Sequence, residues 1–236
     1  MGLAAMTPVE SRAAVAANVA AVRGRIARAC ERVGRDASEV TLVAVSKTFG
    51  PECMVAAAEA GVREFGENRV QEALPKFEAV RTALGGSFDR LTTHLVGHLQ
   101  TNKVGPAIGG FDILHAVDSE RLLRAINAAA TAAVRVMIEV NVSGESTKYG
   151  IAPGELRPLL AVARELPCIR VEGLMTVAPR MDDPGDVRPV FRTLARLGRE
   201  HGLPLLSMGM TEDFEVAIEE GSTHVRVGRA IFGERG

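Results

Sequence analysis

The chain has 236 residues, 47% hydrophobic and 24% charged, which supplies a full core and excludes intrinsic disorder for most of its length. Its 28 Lys+Arg against 29 Asp+Glu leave a formal charge of −1, which argues against a protein that grips nucleic acid through phosphates. Aromatic residues make up 4%, with one Tyr and no Trp, so stacking platforms for single strands are excluded as well.

Short β-branched apolar runs alternate with amphipathic stretches along the chain. Residues 1–8 are expected to be a flexible N-terminus. A helix follows over 9–33, with Val15, Val19, Val22, Ile26 and Ala29 at steps of three and four, and Gly34 as its stop. Strand Thr41–Ser46 leads to helix 51–60, opened by Pro51 and closed by Gly61. Next come strand Val62–Gly66, helix 68–84, and strands His94–Leu99 and Ile113–Val117. Ser119 looks like the N-cap of helix 119–132. Strand 135–142, helix 153–165, strand 170–177 and helix 187–201 follow, with Gly202 as the stop. Strand 204–209, helix 212–220 with Gly221 behind it, and strand 224–228 complete the order. Strict alternation implies right-handed crossovers and a parallel sheet. Eight strands in a chain of this size predict an α/β fold, a single (β/α)8 TIM barrel domain over 1–236. An open doubly wound sheet is the alternative.

In such a barrel the chemistry gathers at the C-terminal strand ends. Lys47 directly follows the apolar run LVAVS. Desolvation there frees the amine as a nucleophile able to form a Schiff base with carbonyl compounds, pyridoxal phosphate (PLP) among them. The plainer alternative is a surface lysine paired with Glu67. Ser207-Met208-Gly209-Met210-Thr211 and Gly228-Arg229-Ala230 follow the last two strands, where barrels often hold a phosphate on backbone N–H groups. Ser207 and Thr211 add hydroxyl donors there, and Arg229 adds charge; alternatively, Gly209 and Gly228 only serve tight turns. Arg226, inside the strand HVRVG, needs an acceptor: a cofactor ring nitrogen, or Glu172 or Glu215. His94 and His98 would share one strand face, but no carboxylate completes a metal site, so they and His115 read as core or rim residues. Cys30, Cys53 and Cys168 are scattered and form no metal-binding pattern, which suits a reducing compartment. No apolar run is long enough to span a membrane, and Glu10 and Arg12 interrupt any signal-peptide core. A cytoplasmic protein is the expectation.

The segments VAVSKTF, FGENRVQE, HLVGHLQTNK, VNVSGESTKYGI, GLMTVAP and LSMGMTEDFEVAIEEGSTHVRVGRAIFGER together resemble the PLP homeostasis protein family (the YggS/PROSC family), in order and over nearly the whole chain. The resemblance implies a fold-type III barrel like the N-terminal domain of alanine racemase. It implies PLP held covalently on Lys47, with Asn68 beside the ring and Met175 lining the pocket. Ser207, Gly209, Met210, Gly228 and Arg229 would bind the phosphate, and Arg226 would face the pyridine nitrogen. Relatives often carry Ser or Thr where this chain has Arg229, which leaves the backbone part of that contact standing.

An always-cationic Arg226 favours a neutral pyridine and so a weak electron sink. Relatives that racemize take a second base from an extra domain, which this chain is expected to lack. The resemblance therefore implies a monomeric, non-enzymatic PLP carrier, with apo PLP-dependent enzymes as recipients. A racemase or decarboxylase on the same barrel is the alternative; a barrel binding a phosphorylated metabolite without a Schiff base is a third. With so few aromatics, the ring would be held by Asn68, Met175 and backbone. Tyr149 is expected to be structural.

Overall fold

The computed structural model describes residues 8–233; of the expected N-terminal stretch only Pro8 falls among them. Helix α1 (Pro8–Arg32) precedes eight strands: β1 (Thr41–Val45), β2 (Glu64–Glu67), β3 (Thr92–Leu95), β4 (Ile113–Val117), β5 (Val134–Glu139), β6 (Ile169–Met175), β7 (Leu205–Ser207) and β8 (His224–Val227). They form a closed barrel in sequence order, every neighbouring pair parallel, with β8 returning to β1. The doubly wound alternative is thereby excluded. Helices α2 (Pro51–Glu59), α3 (Val70–Leu84), α4 (Val104–Gly110), α5 (Glu120–Ala129), α6 (Leu156–Arg164), α7 (Arg188–His201) and α8 (Phe214–Glu219) fill the crossovers. A short α9 (Arg229–Phe232) follows β8.

Period-two alternation divides the strands into two faces. Ala44, Leu114, Val136, Ile138, Leu174, Leu206, Val225 and Val227 point outward and join the helices in the main apolar core. The inward set includes His94, His115, Ser207, His224 and Arg226, all buried. Polar groups therefore fill much of the barrel's interior, and the apolar mass lies between sheet and helices. The helix stops follow the expected chemistry: Gly34, Gly61, Gly202 and Gly221 all have positive φ. The Ser119 hydroxyl accepts from the Leu122 N–H at 3.3 Å as N-cap of α5.

The β3 region departs from expectation. The strand ends at Leu95 rather than Leu99. After the Val96 N–H bonds the Glu67 carbonyl at 2.9 Å, the chain turns at Gly97. A Cβ on Gly97 would lie 2.4 Å from the Asn68 carbonyl oxygen, so the β2 loop crosses where the strand was expected to continue. Helix α4 was not expected at all, because Gly105, Pro106, Gly109 and Gly110 hide its period; Val104 and Ala107 are buried and hold it in place. Helix α9 was also missed. It closes the ring against α1, where the Asn18 amide donates to the Ile231 carbonyl at 2.9 Å.

Candidate functional site

Strand β1 delivers Lys47 to the rim. The Phe49 N–H closes a tight turn on the Ser46 carbonyl at 3.1 Å, and Thr48 is held at φ +70°. That is the left-handed region, costly for a β-branched residue. The surroundings therefore impose this turn. From α3, the Lys76 ammonium donates to the Ser46 carbonyl at 2.8 Å and to Glu67 Oε1 at 2.7 Å. The Ser46 hydroxyl donates to the same carboxylate oxygen at 2.7 Å. Glu67 and Ser46 are fully buried. Glu67 is thus a partner of Lys76. Its Oε2 atom has no hydrogen-bond partner among the described residues.

Strand β8 lies beside β1, with Arg226 level with Val43, so Arg226 and Lys47 belong to one wall of the barrel. Arg226 is buried, donating through Nη1 to Ser207 Oγ at 2.6 Å and through Nη2 to the Thr176 carbonyl at 2.8 Å. Burial lowers its pKa to about 10, against the pull of Glu139 and Asp213, which leaves it cationic at neutral pH. Neither expected carboxylate reaches it: Glu172 pairs with Arg135 and Arg170, and Glu215 with Arg25 and Arg32. Glu139, at the end of β5, is raised to about 7 by burial and then by Asp118. The barrel interior thus sets a cationic guanidinium near a carboxyl poised to hold its proton.

The loops after β7 and β8 frame the adjoining edge, since β8 lies beside β1 and β7 beside β8. Gly209 has φ +92°, and a Cβ there would meet the Ala217 Cβ at 2.6 Å and the Phe214 Cα at 2.9 Å. Gly209→Ala is therefore expected to cost about 2–4 kcal/mol, from strain and overpacking together; a denaturation midpoint equal to that of the original chain would contradict this. A Cβ on Gly228 would approach the Val45 carbonyl at 3.1 Å. Three of the residues expected at the phosphate already have partners of their own. The Ser207 hydroxyl lies between Arg226 and His115 instead of at the rim. The Met210 N–H is taken by Asp213 Oδ1 at 2.6 Å. Arg229 Nη2 bonds Glu212 at 2.7 Å. Met175 is buried inside the barrel with Ala116 and Met137. Asn68 follows directly on β2, its backbone against Gly97.

The histidines are the residues that sequence reasoning undervalued. His94 and His115 meet edge to face at 4.9 Å, and His224 stands 6.3 Å from both. His98 is not on their face; it lies beyond β3, stacked on Tyr149 at 3.9 Å. The missed signal was available: a polar residue inside the apolar strand ILHAV is as anomalous as Arg226 in HVRVG. His224 is lowered to about 4, chiefly by burial. A folded pKa below the unfolded value of 6.5 means stability that is present above pH 6.5 and lost as pH falls through about 4. The full effect is about 3 kcal/mol. Urea titrations at a series of pH values should show His224→Gln flattening that stretch of the profile; an unchanged slope would contradict this.

Among the described residues no group of His, Cys, Asp and Glu could hold a metal ion, and no helix is long and apolar enough to cross a membrane. The donor set is instead an amine at the rim of β1, a buried guanidinium on β8 and glycine-shaped backbone at loops 7 and 8. It suits a phosphorylated aromatic aldehyde. Residues 13–236 match the family model described as alanine racemase, N-terminal domain. A PLP homeostasis protein from Aquifex aeolicus is 45% identical over 89% of this chain and 94% of its own length. The chain belongs to the PLP homeostasis protein family. Among solved structures, an unknown protein from Bifidobacterium adolescentis superimposes with a TM-score of 0.87 at 36% identity, covering 94% of this chain and 96% of its own. The family's likeness extends to PipY of Synechococcus elongatus PCC7942, solved with PLP bound: 32% identity, TM-score 0.77, covering 93% of this chain and all of PipY.

Proposed function

We propose that this protein binds PLP covalently at Lys47 and serves PLP homeostasis as a carrier rather than as a catalyst. The observation that carries this reading is the wall shared by β1 and β8, with Lys47 at the rim and the buried Arg226 beneath it. PLP-bound PipY and the PLP homeostasis relatives support it. When bound, PLP supplies an aldehyde that condenses with an amine and a ring that can draw electrons from the bond formed. In this reading Lys47 provides the amine, held by the turn that Lys76 and Glu67 brace. Asn68 and Met175 border the ring, Arg226 donates to its nitrogen, and Ser207, Gly209, Met210, Gly228 and Arg229 surround the phosphate. For Ser207 and Gly209 the backbone is the contributor we favour, since the Ser207 hydroxyl is engaged with Arg226 and His115.

A cationic guanidinium can only donate to the ring nitrogen, which keeps that nitrogen neutral and the ring a weak acceptor of electrons. This physical argument is what favours a carrier. Three free cysteines suit a reducing cytoplasm, and a monomer that hands PLP to apo-enzymes completes the proposal. The test is to add PLP to the purified protein, reduce with borohydride and map the modified peptide by mass. A visible band, locked onto the Lys47 peptide, is the expected result. A protein that stays colourless, or a label on another lysine, overturns the proposal.

A further inference from the structure

We propose that His115 and His94 are positioning residues for Arg226: with Glu64 they form a directed hydrogen-bond chain that keeps the Ser207 hydroxyl oxygen turned toward the guanidinium as an acceptor. The inference deepens the PLP reading and rests on it where it concerns the cofactor. The chain has five members on five strands. Glu64 Oε2 lies 2.7 Å from His94 Nε2, His94 Nδ1 lies 2.8 Å from His115 Nε2, and His115 Nδ1 lies 2.9 Å from Ser207 Oγ. Arg226 Nη1 completes it at 2.6 Å. It runs across the barrel interior from a partly exposed carboxylate on β2 to the buried cation on β8.

Counting protons sets its direction. Arg226 can only donate, so Ser207 Oγ accepts. A hydroxyl has one proton, and His115 Nδ1 stands ready to take it. His115 then carries its proton on Nε2 and donates to His94 Nδ1, and His94 donates through Nε2 to the Glu64 carboxylate. Every donor meets one acceptor. The reverse order needs a cationic His94 and makes His115 donate to Ser207; the Ser207 proton then has no acceptor in the chain, a costly outcome at a fully buried site. Burial, joined by the charge of Arg226, holds His115 well below the ordinary histidine range, in keeping with a neutral ring. Burial is the largest single influence on Glu64 and works against its ionisation, but the hydrogen bonds from His94 and Thr92 and the neighbouring charge together outweigh it and keep the carboxyl low.

His224 on β8 is not a member, since its Nδ1 is 2.9 Å from the Thr223 hydroxyl. The other charged groups around the chain are Arg135 of β5 beside the histidines, and Glu139 and Asp213 beside Arg226. A network satisfied throughout is stiff, and removing one member leaves its neighbours unpaired.

Two measurements on the full chain test this. The first is a long-range proton–nitrogen correlation spectrum of histidine-labelled protein at neutral pH, without PLP. His94 and His115 should both be neutral with the proton on Nε2; a doubly protonated ring or an Nδ1 proton on either overturns the chain. The second follows the visible band of the PLP-loaded protein against pH. His115→Gln and Ser207→Ala should each move the titration midpoint by about half a pH unit or more, while His224→Gln leaves it in place. An unmoved midpoint in both chain variants overturns the positioning role. Should His115→Gln not fold, Ser207→Ala decides. Failure of the original protein to load PLP would defeat the proposed function, and the spectrum without PLP would still decide the chain.

Discussion

Lys47→Ala should abolish the PLP-dependent visible band and the borohydride-locked product completely, while leaving the fold intact. The chain has four lysines, at 47, 76, 103 and 148. Lys76 is committed to Glu67 and the Ser46 carbonyl behind the sheet, and Lys148 pairs with Glu145 on the loop after β5. Lys47 alone follows directly on β1, in the wall that holds Arg226. Its side chain is half-buried at the rim, so truncation leaves no sealed cavity and the cost in stability should fall within the ordinary range of about 1 kcal/mol. Spectra of the loaded variant, paired with a thermal melt, make the check. A band that persists at the original intensity would place the amine elsewhere.

Lys76→Met should destabilise the barrel by about 3–5 kcal/mol, the cost of stranding a buried charge without its partner. Glu67 is fully buried and receives hydrogen bonds on one oxygen only, from Lys76 and Ser46. Methionine fills a similar volume but offers no charge and no donor. The Ser46 carbonyl, which closes the turn that carries Lys47, would lose a donor in the same step. The double variant Lys76→Met/Glu67→Gln should recover part of the loss, because it removes both charges. Urea denaturation of the single and double variants measures this. A single variant within about 1 kcal/mol of the original chain would show that water or another group compensates Glu67.

Both predictions draw on features that the sequence displayed unequally. Lys47 was conspicuous because it ends an apolar run, and Arg226 because it interrupts one. Lys76 was invisible: a lysine on an amphipathic helix normally faces water, and nothing local shows that its ammonium turns back under a strand end. His94 and His115 were visible as polar residues in or beside apolar strands, yet only closure of the barrel brings β3, β4 and β7 within hydrogen-bond reach. Loop 7 shows the opposite case. Its glycine announced a tight backbone, and the structure confirms why Gly209 must lack a Cβ, but Asp213 capturing the Met210 N–H depends on a turn geometry that composition does not reveal.

By itself, the sequence determined the alternation of strands and helices and the glycine stops, and it singled out Lys47 and Arg226 as candidates. These follow from local rules: residue period, backbone freedom and the cost of burying charge. The tertiary structure decided where β3 ends, that a glycine-rich segment forms α4, which carboxylate each cation meets, and that five polar side chains from different strands align across the interior. Those outcomes depend on distances between residues remote in the chain. Parallel closure sets these distances, and hydrogen bonding in a dry interior then selects among the pairings they allow.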